Sequence, residues 1–554
     1  MYPTRHRRRL ARGPRVLLVL TVVASLSGCT GLFPGGAGSS SEVSKPGTSS
    51  DGLDIGALRP RQTAALRPYY AQRVHWTSCD SHLLCATVRT PIDWQHVGSA
   101  SISLALVEHP ASGSSRGDLL VNPGGPGGSG VDFVEGGISD VVDQSVARNY
   151  NVIGFDPRGV GASAPVTCFN SSQTDTYLYG IDPGAVGSAS WIAAEKKKAR
   201  ELAAACEANT GPVLGHIDTI NAATDMDVIR SALGTSRLNY LGYSYGTYLG
   251  TIYAGLFPTR VGRMVLDGAF DPWGSGYSPG GSTGTDDDYG VTPDEDSTVA
   301  QALGFEDSLY SYLDSCRSGE QTAVGDAQCP FHGSLANAKT GVERLLNSAN
   351  SHPLLGSDGR LLGGSSLATA IDDALYDPSD WPELTQMFVQ LRAGNPQRAF
   401  EFADEYNDRN ADGSYDDNGD LAHLAIGCLE EGPGVDLAFD ARELKELRKV
   451  APVLGVYSGY SDLACSGWKY GPSPFPNPVR AYGAGPILVI GTTGDPATPY
   501  SDAENLALQL DSGHLVTYHG QGHTAYDRGD QCIDKTVDDY LLDGTVPHSD
   551  PSCH

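Results

Sequence analysis

Short apolar runs of four to six residues recur along this chain, separated by longer stretches with apolar positions at helical spacing. Ile102 to Val107 (ISLALV) alternates like an early strand. Asp118 to Asn122 (DLLVN) runs into a glycine turn, Pro123-Gly124-Gly125-Pro126-Gly127-Gly128-Ser129-Gly130. Asn151 to Asp156 (NVIGFD) runs into PRGVGAS, and Asn239 to Gly242 (NYLG) into Tyr243-Ser244-Tyr245-Gly246. Arg263 to Gly268, Pro486 to Gly491 and His514 to His519 are further compact apolar runs. Helical stretches such as Thr224 to Leu233 and Thr247 to Phe257 lie between them. Apolar strands alternating with helices predict an α/β protein with a mostly parallel sheet covered on both faces. The rhythm stops near residue 272 and resumes near 480. Residues 272–297, rich in Gly, Ser and Asp, read as a surface excursion; helical stretches follow, including Gln301 to Ser315 and Ala438 to Lys449. About 200 residues therefore read as a large, mainly helical cap inserted into the sheet domain. No internal repeat is evident.

Charge changes the picture at the N-terminus. Arg5, Arg7, Arg8, Arg9, Arg12 and Arg15 precede a short apolar core, Val16 to Leu26, and then Leu26-Ser27-Gly28-Cys29. That order is an export signal, and its LSGC ending resembles a bacterial lipobox, which implies cleavage before Cys29 and lipidation of its sulfur. The Gly/Ser-rich residues after Cys29 suit a flexible tether. The 554-residue chain carries a formal charge of −28, and removing residues 1–28 takes away six Arg and no acid, leaving −34. With no basic block beyond the leader, nucleic acid is a poor partner, and lipid, not charge, would hold the protein at the outer face of a membrane. No stretch has the roughly 18–20 apolar residues of a spanning helix. Ten cysteines remain besides Cys29, an even number for an exported chain. Short-loop pairing suggests Cys79–Cys85, Cys168–Cys206, Cys316–Cys329, Cys428–Cys465 and Cys532–Cys553; zinc spacings are missing.

The chemistry lies in the loops after strands. Gly242-Tyr243-Ser244-Tyr245-Gly246 fits G-x-S-x-G between a strand and a helix, the turn that lifts a Ser hydroxyl above a sheet. A Ser nucleophile needs a base. His523, in Gly520-Gln521-Gly522-His523-Thr524, follows a strand directly and has a glycine on its N-terminal side. Asp495, in Gly494-Asp495-Pro496, follows another strand and is the expected acid; Asp267 competes for that role. The order Ser, Asp, His is the one an α/β-hydrolase sheet imposes. Gly124 and Gly125, with the N–H of Tyr245, are the expected oxyanion donors. The Lys-Ser/Thr ending of a phosphate-binding loop is missing after that glycine turn.

Taken together, NPGGPGGSG, GFDPRGVGAS, GYSYGTYLG with YAGLFP and RMVLDG, GTTGDPATP and GQGHTAY resemble the exported tripeptidyl aminopeptidases. These are α/β-hydrolase serine peptidases related to prolyl aminopeptidases. The resemblance runs from about Trp76 to Cys553 and is interrupted at 272–297. It implies Ser244 as nucleophile, Asp495 as acid, His523 as base, a helical cap, and release of short peptides from free N-termini without a metal or organic cofactor. Prolyl-type relatives begin the glycine turn with His; here it reads Asn122-Pro123, which argues against a preference for a lone N-terminal proline. The expected segments are a signal peptide (1–28), a tether (29–55), a first core part (56–272), the cap (273–479) and a C-terminal core part (480–554). An exopeptidase needs a carboxylate for the substrate's α-ammonium, and Glu430 and Glu431 are the candidates. Asp408 to Gly413 resembles the start of a calcium loop, but its twelfth position is Gly419 in place of Glu, so an acidic turn is expected. Arg158 is expected to be structural. The alternatives are a carboxylesterase or lipase on the same scaffold and a non-catalytic binding lipoprotein; a monomer is the favoured state.

Overall fold

In the computed structural model, which describes residues 55–60, 64–98, 100–271, 293–319, 328–471 and 478–554, ten strands form one sheet. The leader, Cys29, nearly all of the tether and residues 272–292 lie outside the described residues. In chain order the strands are β1 (Thr77–Ser78), β2 (Leu84–Pro91), β3 (Ser101–His109), β4 (Asp118–Asn122), β5 (Asn151–Phe155), β6 (Leu238–Tyr243) and β7 (Val261–Asp267). A small ribbon, β8 (Leu354–Leu355) with β9 (Leu361–Leu362), stands apart. β10 (Ile487–Gly494), β11 (Gly513–Gln521) and β12 (Ser552–Cys553) complete the main sheet, ordered β1-β2-β3-β5-β4-β6-β7-β10-β11-β12. The three pairings from β1 to β5 are antiparallel, and the rest are parallel.

Residue alternation explains why both faces are covered. Leu120, Ile153, Tyr240, Met264 and Val489 join one hydrophobic core. Their neighbours Leu119, Val121, Val152, Leu241, Val265, Leu488 and Ile490 join another. A strand buried on both faces reads as a continuous apolar run, which is how these segments look in sequence.

The mainly helical region between β7 and β10 follows two packing regimes. Helices Pro293–Ser318, Leu335–Ser351, Gly364–Leu375, Trp381–Arg392 and Gln397–Tyr406 enclose a core of their own around Leu309, Tyr312, Leu346, Ile371, Met387 and Phe388. Tyr179, from the helix Ser171–Tyr179 that precedes β6, belongs to it as well. Helix Gly419–Glu431 instead buries Leu421, Ala422, Ala425, Ile426 and Leu429 in the core of the sheet. Five disulfides form with the pairings that short loops favour. Cys428–Cys465 fastens the end of that helix.

Candidate active site

Parallel pairing brings the loops after β4, β6, β7, β10 and β11 to one edge of the sheet. Asn122 pairs with Gly242, Tyr243 with Asp267, and Gly494 with Gln521, so the glycine turn, the elbow, Asp495 and His523 emerge together.

Ser244 sits at φ 55° and ψ −129°, a conformation that costs a non-glycine residue roughly 1–3 kcal/mol. Its surroundings hold it there. The Ser244 N–H donates to the Asp267 carbonyl at 2.9 Å, and the Ser244 carbonyl accepts from the Thr247 N–H at 2.8 Å and hydroxyl at 2.6 Å. Helix Tyr245–Leu256 starts at the next residue, leaving the Tyr245 N–H among the orphan donors of a first turn.

Asp495 is fully buried, and His523 Nδ1 lies 2.8 and 2.9 Å from its two carboxylate oxygens. Oδ1 also accepts from the N–H groups of Ala497 and Thr498, both at 2.9 Å; Oδ2 accepts from the Thr498 hydroxyl at 3.1 Å and the Thr524 N–H at 3.3 Å. The His523 N–H donates to the Tyr376 carbonyl at 2.8 Å, and the Tyr376 ring packs edge-on against the imidazole at 5.4 Å. His523 Nε2 is buried and makes no hydrogen bond among the described residues, so the Ser244 hydroxyl is not bonded to it here. Both residues nevertheless border the end of β7. Ser244 bonds Asp267, and a Cβ on Gly268 would lie 3.1 Å from His523 Cε1. Contacts of this kind often tighten only when substrate binds.

Asp267 has a different task. Its carboxylate accepts from the N–H of Ala525 at 3.1 Å and of Tyr526 at 2.9 Å, so it holds the backbone after His523 rather than the imidazole. Burial, only partly offset by those bonds, pushes its pKa up to about 6.

The glycine turn divides the expected oxyanion donors. The Gly124 N–H donates to Asn122 Oδ1 at 3.1 Å and is therefore occupied, whereas the N–H of Gly125 has no partner among the described residues. Gly124 has φ 100°, and a Cβ there would lie 2.5 Å from the Tyr243 carbonyl oxygen and 2.9 Å from Ser244 Cβ. Only glycine lets the turn approach Ser244 this closely.

Glu430 and Glu431 separate. Glu431 is exposed. Glu430 Oε1 accepts from the Thr219 N–H at 2.7 Å and hydroxyl at 2.6 Å, and the Thr219 hydroxyl lies 2.5 Å from the Tyr245 hydroxyl. Glu430 Oε2 has no hydrogen-bond partner among the described residues. Burial first, then the nearby Asp218 charge, raises the Glu430 pKa to about 7. Arg158 is buried in a two-pronged pair with Asp225 at 2.7 Å and donates to the carbonyls of Pro91, Ile92 and His216, which makes it a structural anchor. In the acidic turn, Asn410 Nδ2 bonds Ser414 and Asp416 while Ser414 bonds Asp412, so these side chains are turned onto one another. Tyr376 and His423 lack a motif, and only packing brings them here; Asn122 opens the glycine-turn motif, but its bond to Gly124 is not legible in the sequence.

Strained serine, buried Asp–His pair and glycine turn at one sheet edge define a serine hydrolase of the α/β-hydrolase fold. Residues 119–292 match the alpha/beta hydrolase fold family, and residues 451–553 match the TAP-like protein family. The chain is 34% identical to serine protease Hip1 of Mycobacterium tuberculosis over 506 residues, covering 88% of this chain and 92% of that protein. It is 36% identical to carboxylesterase B of the same species over 502 residues (88% and 91%). Tripeptidyl aminopeptidase of Streptomyces coelicolor is 30% identical over 513 residues, covering 89% of each. The chain belongs to this family of TAP-like α/β-hydrolases.

Proposed function

We propose that the protein is an extracytoplasmic serine exopeptidase that removes short peptides from free N-termini through an acyl-enzyme. The observation that carries the reading is the buried Asp495–His523 pair beside the strained Ser244. His523 Nε2 takes the hydroxyl proton as Ser244 Oγ attacks the scissile carbonyl. Asp495 keeps the other imidazole proton on Nδ1 and stabilises the imidazolium. The N–H groups of Gly125 and Tyr245 receive the oxyanion. His523 then protonates the departing amine, and water releases the acyl peptide by the same route. Glu430 takes the substrate's α-ammonium through its unpaired Oε2. The relatives named serine protease and tripeptidyl aminopeptidase support this substrate class.

A carboxylesterase is the second reading, favoured by the relative that carries that name. Free and N-acetylated tripeptide amides, assayed beside short- and long-chain esters, separate the two. Cleavage confined to free N-termini is expected, and equal turnover of acetylated peptides refutes the exopeptidase. Ser244→Ala is expected to abolish turnover while leaving the melting temperature unchanged.

The Arg-rich leader, Cys29 and the five disulfides support export and lipid anchoring on the outer face of a bacterial membrane. Cys29→Ser should move the protein from the membrane fraction to the soluble one. The domain boundaries proposed with this function are a cap at 273–479 between core segments 56–272 and 480–554.

A further inference from the structure

The parallel strands that end at the site all begin at the opposite edge of the sheet, with Asp118 of β4, Leu238 of β6, Val261 of β7, Ile487 of β10 and Gly513 of β11. At roughly 3.3 Å per residue, the 7 residues of β7 put the two edges about 20 Å apart. The chain enters the sheet domain at this far edge. Ile55 packs at the end of helix Tyr245–Leu256: a Cβ on Gly255 would lie 2.6 Å from Val479 Cγ1 and 2.9 Å from Ile55 Cδ1. The tether that leads back to Cys29 therefore joins the domain here.

Charge is unevenly placed around that entry point. The chain holds 66 Asp and Glu, yet residues 55–79 and 228–266 contain none. The fold gathers arginines of these two segments at the far edge. Arg59 Nε donates to the Leu256 carbonyl at 2.6 Å, and the guanidinium carbons of Arg59 and Arg260 sit 5.4 and 5.3 Å from the centroid of the same Phe257 ring. Arg73 Nη1 donates to the Ser231 carbonyl at 3.3 Å, near the end of helix Thr219–Leu233. The pairing of Leu238 with Val261 sets Arg237 beside Arg260. Two acids at this edge are matched by arginine: buried Asp227 accepts from Arg230 at 2.8 Å and from Arg260, and Asp511 pairs with Arg480 at 2.6 Å. Capping of helix C-termini accounts for Arg59 and Arg73. It does not account for Arg67 and Arg237, which are exposed and make no side-chain hydrogen bond or ion pair among the described residues. Two large side chains stand out in the segments that precede β10 and β11: Tyr482 is 82% exposed and Leu508 56%. Glu504 is exposed one turn before Leu508.

We propose that this edge docks on the anionic phospholipid headgroups of the membrane that carries the anchor, so that the active-site edge faces away from the bilayer. Charges more than about 10 Å apart are largely screened at about 0.1 M salt, so acids at the site edge do not cancel the arginines at this one. Each arginine near an anionic surface is worth about fivefold in partitioning, and tyrosine rings favour the headgroup level. The net negative charge of the rest of the molecule turns the other side away and strengthens the orientation. The inference rests on the reading of an exported, anchored protein and adds which side it presents to the membrane.

The test uses the mature chain from residue 29 with Cys29→Ser, so that neither the leader's arginines nor an acyl chain contributes. It is sedimented with vesicles of phosphatidylglycerol or of phosphatidylcholine. Binding to phosphatidylglycerol alone is expected, weakening as salt rises from about 0.1 M to about 1 M. The quadruple variant Arg59→Gln/Arg67→Gln/Arg73→Gln/Arg237→Gln should lose on the order of 100-fold in partitioning. The pair Arg67→Gln/Arg237→Gln, which breaks no bond, should lose on the order of tenfold. A control, Arg344→Gln/Arg442→Gln/Lys445→Gln/Arg448→Gln, removes the same charge from exposed positions on helices Leu335–Ser351 and Leu437–Val450 and should stay within about twofold of the parent chain. Docking is overturned if the parent chain shows no preference for phosphatidylglycerol, if the pair or the quadruple variant binds as the parent does, or if the control loses as much as the quadruple. These outcomes do not depend on the anchor, whose own failure is a membrane fraction that Cys29→Ser leaves unchanged in cells. Hydrolysis of a small substrate at the parent rate certifies that each variant is folded.

Discussion

Asp495 and Asp267 both lie past strands at the site edge, and paired Asp→Asn substitutions discriminate their roles. In Asp495→Asn the new amide group has two places to go. At Oδ1 it would face the N–H groups of Ala497 and Thr498, donor against donor. It therefore takes the Oδ2 position, where it meets the Thr524 N–H at the longer distance of 3.3 Å and donates to His523 Nδ1. That amide N–H competes with Oδ1, which stays 2.8 Å from Nδ1; where it wins, Nδ1 accepts, the ring proton moves to Nε2, and the nitrogen needed as base loses its lone pair. An acid-to-amide change that imposes this tautomer costs about 10⁴-fold in kcat, or roughly 5.5 kcal/mol of barrier. Asp267→Asn makes no such change. It leaves one of the Ala525 and Tyr526 N–H groups facing an amide, a stability loss of about 1–3 kcal/mol. The assay is steady-state kcat on a free tripeptide amide, with the melting temperature recorded for each variant. The reasoning fails if Asp495→Asn keeps more than about a tenth of wild-type kcat, or if Asp267→Asn loses as much as Asp495→Asn.

Three further outcomes are expected. Glu430 binds an ammonium only as a carboxylate, and its pKa is raised to about 7, so selectivity for free over acetylated N-termini should be present above pH 7. It should fall about tenfold per unit as the pH drops below that value, and Glu430→Gln should remove the dependence; a ratio that stays flat in the wild type excludes Glu430 as the ammonium acceptor. Gly124→Ala forces a Cβ against the Tyr243 carbonyl and Ser244, at a positive φ, and should lower kcat by more than about 10²-fold and the melting temperature with it, since the clash and the strained φ cost about 1–3 kcal/mol. Cys428→Ser/Cys465→Ser opens a cross-link spanning 37 residues. The chain-entropy relation puts that at about 4 kcal/mol, read as a lower midpoint in urea.

The legible parts of the site share one property: each sits in a local pattern with a local physical cause. The elbow needs glycines around Ser244 to make a tight strand-to-helix turn. The alternation of Leu119, Leu120 and Val121 already assigns two faces to β4. The disulfides follow from parity and short loops. Gly124 was readable as part of the glycine turn but not as an occupied donor, because Asn122 Oδ1 is two residues away and its orientation is set by the surrounding fold. Asp267 and Asp495 look alike in sequence, and they differ only in which backbone and which ring packs against them.

By itself, the sequence determined the parallel sheet, the placing of Ser244, Asp495 and His523 after successive strands, and the glycine turn, because strand periodicity and turn geometry act over a few residues. Tertiary structure alone decided the rest. It placed helix Gly419–Glu431 with the sheet core while its neighbours built a separate one, turned Glu430 inward and Glu431 outward, and laid Tyr376 on His523. Those choices depend on contacts between segments tens to hundreds of residues apart, where burial and hydrogen-bond partners, not spacing, select the arrangement.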